Sequence, residues 1–82
     1  MNMKEEMKKK ILELVEEVLP QIDFTASNSL VDDGRLDSIS IVTLVSELSM
    51  EFDVIFDMNE LEPADLNSLD AIAETVLRLQ KQ

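Results

Sequence analysis

Apolar residues recur at three- and four-residue steps in the first part of this 82-residue chain. From Met3 to Leu19 this spacing predicts one buried face of an amphipathic helix. The members of that face are Met3, Met7, Ile11, Leu14, Val15 and Val18. Pro20 lies just beyond, where its missing amide hydrogen would interrupt helical hydrogen bonding. We therefore expect a first long helix that ends before Pro20.

A second helix is predicted to begin after Asp37, whose side chain can accept a hydrogen bond from the first helical turn as an N-cap. Ser38 is then the first helical residue. At about 100° per residue, the core side of this helix carries Ile41, Leu44, Val45, Leu48 and Phe52. The opposite side carries Ile39, Thr43, Ser46 and Met50. Two apolar residues, Ile39 and Met50, are thus expected to face outward.

The rest of the chain predicts a short extended segment at residues 54–56, a short helix around Leu61 and Leu66, and a last helix. Asn67 or Ser68 can cap this last helix, with Asp70 in the capping-box position. Its expected buried stripe consists of Leu69, Ile72, Ala73, Val76 and either Leu77 or Leu79. The pattern as a whole predicts an all-α fold with three longer helices and a short third helix.

Residues 20–36 form a long connection between the first two helices. It is rich in turn-forming Asp, Asn and Ser and includes Gly34. The apolar residues that we expect to anchor it to the core are Ile22, Phe24, Leu30, Val31 and Leu36. Connections of this length are uncommon in small domains and often carry function.

Composition narrows both the fold and the chemistry. We expect one domain, residues 1–82, because a core of this size cannot be divided and still offset the entropy of ordering the chain. One glycine and two prolines leave few tight hairpin turns, which argues against an all-β sandwich. With no cysteine and no histidine, the chain lacks thiol chemistry and the usual general base near neutral pH.

The formal charge of −11 is unevenly distributed. Four of the seven basic residues lie within the first ten positions, and Arg35 is the one base between Asp32 and Asp70. This distribution excludes nucleic acid as a partner and favours proteins with basic surfaces, although the same charge could simply keep a small monomer in solution. The N-terminal segment has no uninterrupted apolar stretch, so we expect no membrane insertion and a cytoplasmic location.

The candidate chemistry lies at Asp33 to Ile39 (DGRLDSI), where the one glycine, a cap and a small hydroxyl residue meet at a helix start. A phosphate esterified to Ser38 would lie near unpaired backbone N–H groups at the positive end of the helix dipole. On spacing alone, the favoured interpretation is that Asp37 and Ser38 are a capping pair and Gly34 an ordinary turn residue.

The segment Leu36 to Ile39, followed by the apolar positions of the second helix, resembles the acyl and peptidyl carrier proteins. In that family an Asp-Ser pair precedes a hydrophobic residue and an amphipathic helix. The resemblance covers nearly the whole chain: a first helix, a long loop entering through an Asp-Gly turn, the second helix, a short helix near Pro63 and a last helix opening at Asn67. It implies an acyl-carrier-like four-helix bundle with a long loop between helices one and two.

The resemblance also implies a function. Ser38 would accept 4′-phosphopantetheine from coenzyme A through a separate phosphopantetheinyl transferase, and an acyl or aminoacyl group would ride as a thioester on the arm. Asp37 and Gly34 would belong to the same cofactor site, with Asp37 helping to position the transferase and its metal. The residues implied for partner docking are Ile39, Thr43, Glu47, Met50 and Glu51. The chain would itself catalyse nothing and would serve a loading ligase or synthase and downstream transferases with basic docking surfaces.

The chain departs from the fatty-acid-synthesis branch of the family. That branch usually places carboxylates soon after the modified serine, whereas the second and fifth positions after Ser38 are Ser40 and Thr43. Carriers for a dedicated pathway are therefore at least as similar, including D-alanyl carriers of cell-wall modification and discrete carriers of peptide or polyketide assembly.

Three other functions compete with the carrier. A calcium site at Gly34 would put Ser29, Val31 and Ser40 at ligand positions of an EF-hand, where they are missing or weak ligands. A hydrolase would need a base for Ser38, and no histidine is present. An unmodified acidic adaptor that binds a partner through the second helix shares every feature of the carrier except the modified serine.

Overall fold

The computed structural model describes residues 2–82, and it confirms the all-helical prediction. Three α-helices follow one another along the chain: α1 at Met3–Val18, α2 at Ser38–Phe52 and α3 at Leu69–Gln80. No strand occurs within residues 2–82. None of the helices in that range is both long and apolar enough to cross a membrane.

The predicted short helix is a single 3-10 turn at Pro63–Asp65. Its start is fixed by Pro63, which lacks an amide hydrogen and is therefore tolerated in the first turn of a helix. Glu62 and Asp65 cap it reciprocally, and the Glu62 amide donates to the Asp65 carboxylate at 2.9 Å. Ahead of this turn, Val54 is buried, Ile55 is exposed and Phe56 is half-buried, as the alternation of an extended segment requires.

α1 buries a narrow stripe at four-residue spacing, made of Met7, Ile11 and Val15. Asn2 caps the helix by accepting a hydrogen bond from the Glu5 amide at 2.8 Å. Met3 was predicted on the buried face and is exposed. This prediction was wrong because Met3 is the first residue of α1, a full turn before the first core residue.

The buried face of α2 lies closer to Ser40 than the sequence predicted. Leu44 and Leu48 are fully buried and Ser40 is buried beside them. The other predicted core residues of this helix are half-buried and pack against the core: Ile41, Val45 and Phe52. α2 is followed by its C-cap residue Asp53, which adopts a left-handed conformation with φ of 53°.

α3 begins after Ser68, whose hydroxyl accepts a hydrogen bond from the Ala71 amide at 3.0 Å. Because Ser68 is the cap, Asp70 is the second helical residue and not the third, so the predicted capping box does not form. Asp70 instead pairs with Lys8 of α1 at 2.6 Å. The buried stripe includes Thr75, which apolar spacing could not reveal, together with the predicted Ile72, Ala73 and Val76.

α1 and α3 pack antiparallel, as the pairs Lys4 to Glu74 (2.8 Å) and Lys8 to Asp70 indicate. The loop of residues 19–37 closes one side of the core, to which it contributes Phe24, Leu30 and Leu36. Burying a side chain of this kind stabilises the folded chain by about 1.5–3 kcal/mol. The loop is thus part of the core, and its end leads directly into α2.

Candidate functional site

Ser38 is the first residue of α2 and is exposed. Asp37 precedes it in extended backbone, with φ of −85° and ψ of 178°, and its carboxylate accepts a hydrogen bond from the Ser40 amide at 2.8 Å. The Asp37 carbonyl accepts the next bond, from the Ile41 amide at 2.9 Å. The second helix therefore begins at the predicted residue, with the Ser38 hydroxyl at the edge of the molecule.

The Asp37 carboxylate is held in its charged form by the helix that it caps. Hydrogen bonding from the Ser40 amide and hydroxyl holds the pKa of this carboxyl below its usual value of 3.8. Asp37 is therefore a charged neighbour of Ser38. The Ser38 hydroxyl is accessible, and the chain has no histidine that could act as a base to activate it.

Gly34 supplies the turn that aims the loop at α2. Its φ is +83°, a left-handed conformation that side chains with a Cβ rarely adopt. No atom lies within 4 Å of the position that a Cβ would take, so backbone conformation and not lack of space requires glycine here. The Gly34 amide donates to the Val31 carbonyl at 3.1 Å and closes the turn.

Asp33 forms its side-chain hydrogen bonds within the loop itself. Its oxygens accept hydrogen bonds from the Ser27 hydroxyl at 2.6 Å and from the Arg35 backbone and side chain at 3.3 Å. The Ser27 bond is the main cause of a lowered pKa at Asp33. Within residues 2–82 no group of three or more His, Cys, Asp or Glu side chains is placed to hold a metal ion.

Asn67 is a site residue that sequence reasoning treated only as a possible cap. Its carbonyl accepts the Leu30 amide at 2.8 Å, and its side-chain oxygen accepts the amides of Val31 and Asp32 at 2.9 and 3.2 Å. Its side-chain nitrogen donates to the Asp32 carboxylate at 3.0 Å. The signal for this role was the pair of capping residues at 67 and 68, since only one can cap α3 and the other is free to bind backbone elsewhere.

The outward side of α2 is apolar and uncharged. We call its members the outer strip: Ile39, Val42, Thr43, Ser46 and Met50. Ile39, Met50 and Val42 are 79%, 71% and 58% exposed. Thr43 is half-buried, and its hydroxyl donates to the Ile39 carbonyl at 3.1 Å. Val42 was not included in the predicted outward side, although at 100° per residue it lies only 60° from Ile39.

Of the two predicted docking carboxylates, Glu47 borders the outer strip and Glu51 lies away from it. Glu47 is half-buried on the side that leads toward Ser40. Glu51 is about 100° around the helix from Met50 and lines a groove against α1 with Lys10 and Glu13. The structure therefore brings Ile39, Thr43 and Met50 together and separates them from Glu51.

The chain is similar over most of its length to proteins of a known family. The family model described as "Phosphopantetheine attachment site" matches residues 9–76 of the chain. A D-alanyl carrier protein of Streptococcus sanguinis is 30% identical over 76 residues, which cover 92% of this chain and 96% of that protein. A D-alanyl carrier protein of Streptococcus thermophilus is 29% identical over the same length and share of each chain. No solved structure matches the chain.

Proposed function

Because the chain belongs to the family of proteins with a phosphopantetheine attachment site, we propose that Ser38 is the residue that carries the arm. The protein is a non-catalytic carrier that uses covalently attached 4′-phosphopantetheine. When bound, this group supplies the thiol on which cargo rides as a thioester. Family membership favours the carrier over the unmodified adaptor, which the outer strip alone would also fit.

The exposed start of α2 supports the assignment to Ser38. A phosphate on its hydroxyl would lie beside the free amides of the first helical turn, where the helix dipole favours negative charge. The Ser40 amide is already taken by Asp37, and hydrogen bonding from the Ile39 amide also helps to lower the pKa of that carboxyl, so the phosphate would depend mainly on the helix dipole. Asp37 and Gly34 act in this proposal by holding the helix start, and Asp37 also offers a carboxylate to the transferase and its metal.

The transfer itself requires a second protein. The Ser38 oxygen attacks the pantetheine-side phosphorus of coenzyme A, the phosphoanhydride bond breaks, and adenosine 3′,5′-bisphosphate leaves. The serine proton passes to a base of the transferase, because this chain has no histidine beside Ser38. Coenzyme A is the donor, so we propose a cytoplasmic location.

Carriers of this family work with a phosphopantetheinyl transferase and with loading ligases. We propose that these enzymes contact the outer strip, which lies on the same helix as Ser38. Since the strip is uncharged, the matching surface on the enzyme is apolar, and its basic groups meet the carboxylates around the rim, Glu47 among them. The basic groups of the partner enzyme would therefore contact this chain at the edge of the interface and not at its centre.

The cargo that we propose is D-alanine. Two proteins that match this chain over 96% of their own length are named D-alanyl carrier proteins. The positions where the fatty-acid branch usually has carboxylates are Ser40, which is buried, and Thr43, which is half-buried. A specialised acyl chain and a peptide or polyketide intermediate are the outcomes that the loading experiment below would distinguish.

At the level of the whole chain, we propose one carrier domain, residues 1–82, that acts as a monomer and binds no nucleic acid. The Pro63–Asp65 turn stands where a carrier bundle has its short third helix. This supports assignment to the four-helix carrier bundle with the long loop between its first two helices.

The attachment is tested by incubating the protein with coenzyme A and a promiscuous phosphopantetheinyl transferase and then measuring its intact mass. We expect a gain of one phosphopantetheine in the wild type and none in Ser38→Ala. The matched control is Ser29→Ala, an exposed serine of the loop before α2 that lies outside the outer strip, which should gain the same mass as the wild type. A gain that survives Ser38→Ala contradicts the proposal.

The cargo is tested on the modified protein with ATP and a D-alanine-activating ligase. We expect a hydroxylamine-sensitive D-alanyl thioester, absent when the arm is absent. Loading by a fatty-acyl or other amino-acid ligase, with none by the D-alanine ligase, would contradict the D-alanyl assignment and leave the attachment site unaffected.

A further inference from the structure

The contacts of Asn67 hold the loop of residues 30–32 against the start of α3. From them we infer that Asn67 is a positioning residue for transfer of the arm to Ser38. The inference rests on the proposed function of Ser38 and concerns a residue that never touches the reacting atoms. Asn67 lies 36 positions after Val31 in the sequence, beyond α2.

Asn67 uses its backbone carbonyl and both polar atoms of its side chain on this loop. The carbonyl takes the Leu30 amide, and the side-chain oxygen takes the two amides that follow, those of Val31 and Asp32. The side-chain nitrogen donates to the Asp32 carboxylate. Three consecutive loop residues are thereby fixed by one side chain and its own backbone.

The clamped residues are bonded in turn to the segment that enters α2. The Leu30 carbonyl accepts the Leu36 amide at 2.9 Å, and the side chains of both leucines are buried, with at most 2% of their surface exposed. Leu36 is covalently followed by Asp37, the cap of α2. The Val31 carbonyl accepts the Gly34 amide, so the turn is also attached to the clamp.

Release of this clamp would displace the entry to α2 and with it the Ser38 oxygen. Transfer needs that oxygen in line with the phosphoanhydride of coenzyme A while the carrier is bound to the transferase. A misplacement of about 1 Å at a reacting group can lower a rate on the order of 100-fold. Asn67 would therefore act on the rate of the bound complex more than on binding.

The test measures kcat and KM of a phosphopantetheinyl transferase with each variant of the full chain as substrate. For Asn67→Ala we expect kcat to fall roughly tenfold or more, with little change in KM. A purely structural role would have a different signature, because a smaller folded fraction raises the apparent KM and leaves kcat unchanged. Ile11→Ala, which opens a cavity in the core at α1, is the control for that second signature, and Asn28→Ala, an exposed asparagine of the same loop, should match the wild type.

Exchanging the hydrogen-bond donor and acceptor between Asn67 and Asp32 tests whether kcat can be restored. Asn67→Asp keeps both acceptor bonds to the loop amides, but it removes the donor and sets a second carboxylate against Asp32, so kcat should fall. Adding Asp32→Asn restores a donor opposite the new carboxylate, and kcat should recover. A wild-type kcat in Asn67→Ala, or an absence of rescue in the double variant, would overturn the inference. Modification that persists in Ser38→Ala would instead overturn the proposed attachment site.

Discussion

Asp37 and Ser38 divide two tasks at the first turn of α2. The Asp37 carboxylate is turned back to the Ser40 amide and secures the helix start, which leaves the neighbouring hydroxyl exposed. Both positions could be predicted, because a capping residue fixes the helical number of the residue after it. The adjacent caps indicate only that Asn67 or Ser68 is free to bind backbone elsewhere; the partners of Asn67 could not be predicted, since they lie more than 30 positions away.

Ile39 and Leu48 are the two residues whose truncation best separates the outer side of α2 from its core side. Leu48→Ala should lower the free energy of unfolding by about 2–5 kcal/mol, because it opens a cavity in the core. Ile39→Ala should leave stability nearly unchanged, since this side chain is 79% exposed, and should raise the KM of the loading ligase. Urea unfolding and ligase kinetics check the two effects, and equal destabilisation by both changes would show that the faces are assigned wrongly.

Gly34 provides a second test at the residue scale. Gly34→Ala places a Cβ in open space but in a left-handed conformation, which should cost about 1 kcal/mol of stability. Gly34→Asn should cost less, because asparagine tolerates this conformation better than alanine. Thermal unfolding of the two variants measures the difference, and an alanine variant as stable as the wild type would mean that the turn is not held at this φ.

At the scale of the elements, the α-helices were predictable and their exact faces were only partly so. Periodicity located α2 correctly but placed its core side too far from Ser40, because a buried serine gives no apolar signal. In α3 the same limitation concealed Thr75, whose hydroxyl donates to the carbonyls of Ala71 and Asp65. The predicted capping box at Asp70 was wrong for a different reason. Asn67 and Ser68 are both suitable caps, and the packing of the loop, not the local sequence, determines that Ser68 is the one used.

The pairing of α1 with α3 makes stability depend on pH. Hydrogen bonding to Lys8 lowers the pKa of Asp70 from its usual value of 3.8. Its contribution to stability is therefore present above that pH and is lost as the pH falls through the lower, folded-state pKa. Asp70→Asn should be less stable than the wild type near pH 6, and the two should converge in strong acid.

Urea unfolding across that pH range provides the measurement. The matched control is Glu60→Gln, an exposed residue whose replacement removes the same charge and no described ion pair. Near pH 6 Glu60→Gln should be no less stable than the wild type, because it relieves carboxylate repulsion without breaking a described ion pair. A gap between wild type and Asp70→Asn that persists unchanged in strong acid would rule out the Lys8 pair as its source.

At the scale of the whole molecule, the dominant feature is a charge of −11 on a body 30 by 30 by 20 Å. These dimensions exceed the screening length of about 8 Å at physiological salt, so added ions weaken the mutual repulsion of the carboxylates. They also weaken the ion pairs of α1 with α3, but exposed pairs of this kind contribute little to stability. The repulsion should therefore dominate the response to salt.

We expect the melting temperature to rise with added sodium chloride and, at lower concentrations, with a divalent cation. Calorimetry in a buffer of fixed pH measures both. A melting temperature that stays constant or falls would indicate that the negative charge is already balanced within the fold.

The most direct measurement of the central claim is the location of the arm within the modified chain. Trypsin cleaves after Arg35 and a glutamate-specific protease after Glu47, which isolates a peptide of residues 36–47 with three serines, Ser38, Ser40 and Ser46. Fragmentation of that peptide by mass spectrometry should place the whole phosphopantetheine on Ser38. Finding it on either of the other two serines, or on a peptide outside α2, would contradict the account.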